Sequence, residues 1–178
     1  MATKITLLEG NIVKQQVSAI VNAANFTLLG GGGVDGAIHK AAGPGLLAEC
    51  RAIGGCMTGD AVITKGYNLR AKFVIHAVGP EWQGGYSQEE ELLASAYKNS
   101  LQLLVQNNLK SIAIPAISTG AYGFPLNRAT QIAVKTVIEF VDDHPEISEV
   151  IFVTYQSMAT SMYQQELTKL AVDFVLKR

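Results

Sequence analysis

The sequence predicts an α/β domain built on a largely parallel sheet that is covered on both faces. Three observations carry this expectation. Short apolar runs rich in β-branched residues recur at residues 18–21, 61–64, 73–78, 111–115 and 150–155. Several of them are apolar nearly throughout, as strands buried on both faces are, rather than alternating. Longer stretches of helical pattern separate most of them, which is what parallel strands need for their crossovers.

Taken in order, residues 5–8 read as a strand that ends at Glu9-Gly10-Asn11-Ile12. Residues 18–21 read as a buried central strand, followed by Asn22-Ala23-Ala24-Asn25 with two amides expected just past its carboxyl end. Four glycines, Gly30 to Gly33, then pass into Val34-Asp35-Gly36-Ala37-Ile38-His39, which reads as the first turns of a helix. Gly43-Pro44-Gly45 punctuates before a second helical piece at 46–51. Two strands follow, and Ser87-Gln88-Glu89-Glu90 resembles a capping box opening a helix to about Gln106. Residues 111–115 form a strand whose late proline suits its end. The loop Ser118-Thr119-Gly120-Ala121-Tyr122-Gly123-Phe124-Pro125 leads into an amphipathic helix at 126–141. A strand at 150–155 and a helix at 158–170 complete the pattern, and residues 172–176 receive no assignment.

Composition narrows the function. The 178 residues are 48% hydrophobic, so a sizeable core is expected and disorder is excluded. The formal net charge of −1 supplies no basic field for nucleic acid, so no nucleic-acid partner is expected. The start of the chain runs into a strand pattern without a signal peptide, and no apolar run approaches the about 18 residues of a membrane span. Cys50 and Cys56 are too few for a disulfide framework and match no common zinc spacing, so they are expected to be packing residues in a reduced, cytoplasmic setting.

In parallel sheets ligands bind beyond the carboxyl ends of the strands. Asn22, Asn25, the glycine run, residues 118–122 and Tyr155 all follow strands and can therefore converge on one rim. The glycines can bring backbone close to a ligand, and a helix start offers unsatisfied N–H groups to a phosphate. The plain alternative is a mobile glycine linker. Asp35 would suit a helix start by itself, but beside a phosphate it reads as a reacting group. Asn22 and Asn25 suit sugar hydroxyls or simply a turn. His39 lies one turn after Asp35 on the same face, where it can orient the carboxylate or serve the local backbone. His76, inside a strand, and His144 have no metal-like neighbour in the sequence.

Two other nucleotide motifs fail. Gly31, Gly33 and Gly36 match a dinucleotide pattern, yet eight residues separate Val21 from Gly30 and Glu49 falls in a helical stretch. No Gly-Lys-Ser/Thr follows the glycines, so there is no Walker loop, and no nucleophile elbow supports covalent catalysis.

Together, Asn22-Ala23-Ala24-Asn25, residues 30–43 and Ile117-Ser118-Thr119-Gly120-Ala121-Tyr122-Gly123 resemble the macro domain family. Within it they look like the MacroD type, which includes bacterial O-acetyl-ADP-ribose deacetylases. The resemblance runs from Ile5 to about Tyr163. It implies a single domain over residues 1–178, a three-layer α/β/α sandwich around a mixed, mostly parallel sheet of about six strands. It implies hydrolysis of esters on the distal ribose of ADP-ribose, either free O-acetyl-ADP-ribose or ADP-ribosylated Asp and Glu side chains of proteins. A non-catalytic ADP-ribose-binding module is the alternative from another class, and an embedded Asp35 argues against it.

By the same resemblance Asn11 and Ile12 lie at the adenine, with Tyr155 in the region of its stacking ring. The backbone of Gly32, Gly33 and Val34, with Ser118, Thr119, Gly120, Ala121 and Tyr122, would grip the diphosphate. Asn25 would bind the distal ribose, with Asn22 supporting the loop or the sugar. Asp35 would be the catalytic carboxylate and His39 its neighbour. No metal or cofactor is implied, and a monomer is expected. One position departs from the family, which usually has Gly-Asp-Ile where this chain has Gly10-Asn11-Ile12. Asn11 can accept from the adenine amino group but lacks the charge, so adenine recognition is expected to weaken by roughly 1 kcal/mol.

Overall fold

A computed structural model describes residues 3–178. Seven strands form one sheet: β1 (Lys4–Glu9), β2 (Ala19–Ala24), β3 (Ala61–Lys65), β4 (Phe73–Val78), β5 (Ser111–Pro115), β6 (Glu149–Thr154) and β7 (Phe174–Lys177). Their order across the sheet is β3-β4-β2-β5-β6-β1-β7. Only β3 runs antiparallel to its neighbour; every other pair is parallel. Five helices cover it: α1 (Gly33–Ala42), α2 (Pro44–Ile53), α3 (Glu89–Gln106), α4 (Leu126–Asp142) and α5 (Ser157–Lys169).

Alternation along each strand divides the core into two layers. Leu7, Val21, Ile75, Ile114 and Phe152 face α3, α4 and α5, whereas Ile20, Val74, Ala113 and Val153 face α1 and α2. The α/β/α sandwich is therefore the observed architecture. The helices meet it as their patterns dictate. Buried Ala129, Ala133, Val134, Val137 and Val141 form one stripe of α4. Pro44 opens α2, and Gly54, at φ +88°, closes it in the left-handed conformation.

Three details differ from the sequence expectation. The sheet has seven strands rather than about six, because residues 174–177 pair in parallel with β1 as β7. Strand β2 extends to Ala24, so Asn22 lies within the strand and is fully buried. The capping box does not form. Glu89 instead accepts from the backbone N–H groups of Gln83 (2.8 Å), Gly85 (2.9 Å) and Ser87 (2.6 Å), while Glu90 pairs with Arg128 at 2.6 Å.

Candidate functional site

Strands β2, β5, β6 and β1 are consecutive and parallel, so the segments that follow them line one rim in that order. At 4.7–4.9 Å per strand the row is about 14 Å long. Residues 25–33 stand at one end and Asn11 at the other, with the 116–125 loop and Tyr155 between them.

Asn25 ties the first loop together. Its Oδ1 accepts from Thr27 Oγ1 (2.6 Å), Thr27 N–H (3.2 Å) and Leu28 N–H (3.2 Å), and its Nδ2 donates to Gly30 O at 3.0 Å. Leu28, 1% exposed, pins the loop to the core. Gly31, Gly32 and Gly33 are exposed, and a Cβ on Gly32 would meet nothing within 4 Å. Gly32 caps α1 without a side-chain bond, and Gly33 holds φ +58°. The first N–H groups of α1 thus face open space, the arrangement that receives an anion.

Asp35 sits in the first turn of α1 and is 5% exposed. Asn22 Nδ2 donates to its Oδ1 at 2.9 Å. His39 Nε2 lies 3.4 Å from the same oxygen, within ion-pair range but outside hydrogen-bond geometry, so it is buried without a bond. The other oxygen faces the glycine loop: a Cβ on Gly31 would stand 3.2 Å from Oδ2. Burial raises the carboxyl above its ordinary pKa, offset in part by the Asn22 bond and the His39 charge. A carboxylate with one oxygen held from below and a pKa moved toward neutrality is suited to general-base work.

Beneath it lies a layer the sequence reading did not anticipate. Asn22 and His76 are register partners across β2 and β4, on the face covered by α1 and α2. Asn22 Nδ2 stands 3.1 Å from His76 Nδ1, and His76 Nε2 3.0 Å from Thr64 Oγ1 on β3. Cys50 Sγ is 3.8 Å from the same Nε2. Burial pushes His76 down to about 3 and Cys50 up to about 11. The expectation that His76 lacks a metal-like neighbour needs correcting, because ligand atoms of His39, Cys50 and His76 all lie within 4.8 Å of one another. Both His76 nitrogens are nevertheless within hydrogen-bond reach of Asn22 and Thr64. The signal that could have revealed this layer was a histidine and an asparagine at core-facing positions of two central strands.

In the second loop Ser118 takes φ +69°, rare for a residue with a Cβ, and its buried Oγ has no protein partner. Tyr97 Oη accepts from Ile117 N–H at 3.1 Å, and Trp82 N–H donates to Tyr122 O at 2.8 Å. Thr119 and Tyr122 are half-buried and Gly120 and Ala121 exposed, so a scaffold of buried anchors presents an open turn. At the far end, Asn11 Oδ1 accepts from Val13 N–H at 3.1 Å and caps a short 3₁₀ turn, Ile12–Lys14. Ile12 is buried, whereas the Tyr155 ring is 84% exposed. The rim therefore gathers the expected site residues except Asn22, which lies in the strand beneath it, and His39, which lies a turn further along α1 against Asp35.

Comparisons with known proteins bear on the family and the fold. A family model described as "Macro domain" matches residues 21–133. A "Macro domain-containing protein" of Methanosarcina mazei is 56% identical over 168 residues, covering 94% of this chain and 89% of the relative. An "O-acetyl-ADP-ribose deacetylase" of Escherichia coli strain K12 is 51% identical over 173 residues, covering 95% and 98%. Among solved structures, a mutant Oceanobacillus iheyensis macrodomain with ADPR superimposes with a TM-score of 0.89 at 42% identity, covering 93% of this chain and 92% of that one.

Proposed function

The chain belongs to the macro domain family, and on that footing we propose that it hydrolyses esters on the distal ribose of ADP-ribose. The substrates are O-acetyl-ADP-ribose, or a protein Asp or Glu side chain carrying mono-ADP-ribose. A relative 51% identical over nearly the whole of both chains bears the name O-acetyl-ADP-ribose deacetylase, which supports the reaction class. The observation that carries the reading is Asp35: a buried, hydrogen-bonded carboxylate whose second oxygen opens onto the glycine loop.

In this reading the first N–H groups of α1, from Gly32, Gly33 and Val34, and the loop of Ser118, Thr119, Gly120, Ala121 and Tyr122 hold the diphosphate. The unpartnered Ser118 Oγ supplies a hydroxyl there. Asn25 fixes the loop and offers its remaining amide hydrogen to the distal ribose. Asn11, Ile12 and Tyr155 receive the adenine. Asp35 takes a proton from water as its oxygen attacks the ester carbonyl. The acyl–oxygen bond breaks, the ribose oxygen is protonated, and a carboxylic acid and ADP-ribose result. His39 adds positive potential beside Asp35 when protonated. Rigid diphosphate binding keeps ester and water aligned. The reading calls on no metal or cofactor and places a monomer in the cytoplasm. No helix among the described residues is long and apolar enough to cross a membrane.

The test is acetate release from O-acetyl-ADP-ribose by the wild type and by Asp35→Ala, with ADP-ribose binding measured by calorimetry on both. Release that disappears in the variant while binding persists is the expected result. Binding without release by the wild type would make the protein an ADP-ribose reader.

A further inference from the structure

We propose that His76 is a positioning residue for Asp35, acting through Asn22 and anchored by Thr64. The hydrogen bonds around Asn22 fix its orientation. An ionised Asp35 only accepts, so the Asn22 atom 2.9 Å from its Oδ1 must be the amide nitrogen. That same nitrogen lies 3.1 Å from His76 Nδ1, which therefore accepts the second amide hydrogen. The imidazole proton then sits on Nε2 and is donated to Thr64 Oγ1 at 3.0 Å. The Thr64 hydroxyl donates in turn to the Lys65 carbonyl at 3.1 Å. Asn22 Nδ2 thus donates both ways: to the carboxylate on α1, and into a run of three bonds that donate in turn across β2 and β4 to a fixed backbone carbonyl on the edge strand β3.

The network is costly in a way that points to function. Asn22 Oδ1 is left buried with no partner, although Asn22 is fully inaccessible. An unpaired buried acceptor is tolerated because both amide hydrogens are directed elsewhere, to Asp35 and His76. A neutral imidazole is required, since a protonated Nδ1 would face an amide hydrogen. The buried setting between the sheet and α1 and α2 keeps it neutral. His39 cannot replace the device, because it makes no hydrogen bond to Asp35.

The charged and titratable groups around the carboxyl are His39 on α1, His76 on β4, Cys50 on α2 and Tyr122 in the loop before α4. Among them and Asn22, only Asn22 donates a hydrogen bond to Asp35. Misdirecting its amide removes a contact that favours the ionised form, so the carboxyl should titrate at higher pH.

The test compares wild type, His76→Leu, His76→Asn and Thr64→Val. Asp35 is titrated by carbon-13 NMR, and acetate release from O-acetyl-ADP-ribose is followed as a function of pH. The kinetic arm rests on the hydrolase reading; the NMR arm does not. In His76→Leu the Asp35 titration and the acid limb of the rate profile should both move to higher pH. Its kcat should fall about tenfold while KM and ADP-ribose affinity stay within about twofold. His76→Asn, whose oxygen can stand where Nδ1 does, should recover most of this. Thr64→Val should reproduce the shift in smaller measure, and it decides the matter if His76→Leu does not fold. An Asp35 titration identical to wild type in folded His76→Leu or Thr64→Val overturns the proposal. So does a parallel loss of kcat and ligand affinity. A wild type that releases no acetate refutes the hydrolase reading alone, and the NMR titration still judges His76.

Discussion

Gly36 lies so close beneath Gly31 that a Cβ on it would stand 2.5 Å from the Gly31 carbonyl oxygen. The first turn of α1 therefore supports the glycine loop directly, backbone against backbone. This contact separates the glycines into two kinds. Gly36 is needed for the loop to fold against the helix. Gly32, with open space where its Cβ would be and φ −96°, is needed only if something else approaches.

Gly36→Ala should therefore destabilise the protein by about 1–3 kcal/mol, the usual cost of overpacking against a backbone that cannot yield. Gly32→Ala should leave the unfolding midpoint unchanged and still weaken ADP-ribose binding, because its methyl group would occupy the approach of the diphosphate. Thermal unfolding and calorimetry on the two variants check this. Unchanged affinity in Gly32→Ala would remove the glycine loop from the diphosphate site.

Much of this was legible in the sequence for a physical reason. Strands buried on both faces are apolar runs, and the residues that follow them in a parallel sheet have to share a rim, so Asp35, Asn25 and the 118–122 loop could be grouped without coordinates. What escaped was whatever depends on distant partners. Asn22 is an unfavourable strand residue, and its buried side chain is accommodated in β2 by bonds to Asp35 and His76, 13 and 54 positions away. Glu89 was hidden within a plausible capping box because its true donors lie in the preceding loop. The edge strand β7 is four residues long, alternately half-buried and exposed, and pairs with β1 at the other end of the chain. No local pattern announces it.

Asp35 should limit stability as well as enable turnover. Its folded-state pKa is raised, chiefly by burial, so the folded protein binds this proton more tightly than the unfolded chain does. The resulting stabilisation is complete below the ordinary carboxyl pKa of 3.8 and is lost as the pH rises through the folded value. Asp35→Asn, which can still accept from Asn22, should thus unfold at higher temperature than wild type at pH 7, by on the order of 1 kcal/mol in stability. The advantage should vanish in acid. Unfolding temperatures measured from pH 3 to pH 8 would show it, and an Asn variant less stable than wild type at pH 7 would contradict the sign.

His76 predicts the opposite slope. Its pKa is lowered from 6.5 to about 3, so the unfolded chain takes up a proton that the folded protein refuses. The stability associated with a neutral His76 is present above 6.5 and drains away as the pH falls toward 3, by about 1.4 kcal/mol per pH unit at most. His76→Asn removes the titrating group and should flatten urea-unfolding free energies between pH 6.5 and pH 4.5. An equally steep decline in wild type and variant would assign acid unfolding to other groups.

The proposed adenine end can be tested without disturbing the fold, because Asn11 and Tyr155 differ in what they do for the free protein. The Tyr155 ring is 84% exposed, so Tyr155→Ala should change stability by no more than about 0.5 kcal/mol. If the ring stacks on the base, the same change should weaken ADP-ribose binding by about 1–3 kcal/mol. Asn11 Oδ1 already accepts from Val13 N–H, and an aspartate would keep that cap while adding a charge. Asn11→Asp should then tighten ADP-ribose by roughly 1 kcal/mol, about fivefold, through a stronger bond to the adenine amino group. Calorimetry with ADP-ribose and with ribose 5-phosphate, which lacks the base, separates the two contributions. Gains and losses confined to ADP-ribose locate the adenine between Asn11 and Tyr155, whereas equal effects on both ligands would mean that these residues act on the site through the backbone instead.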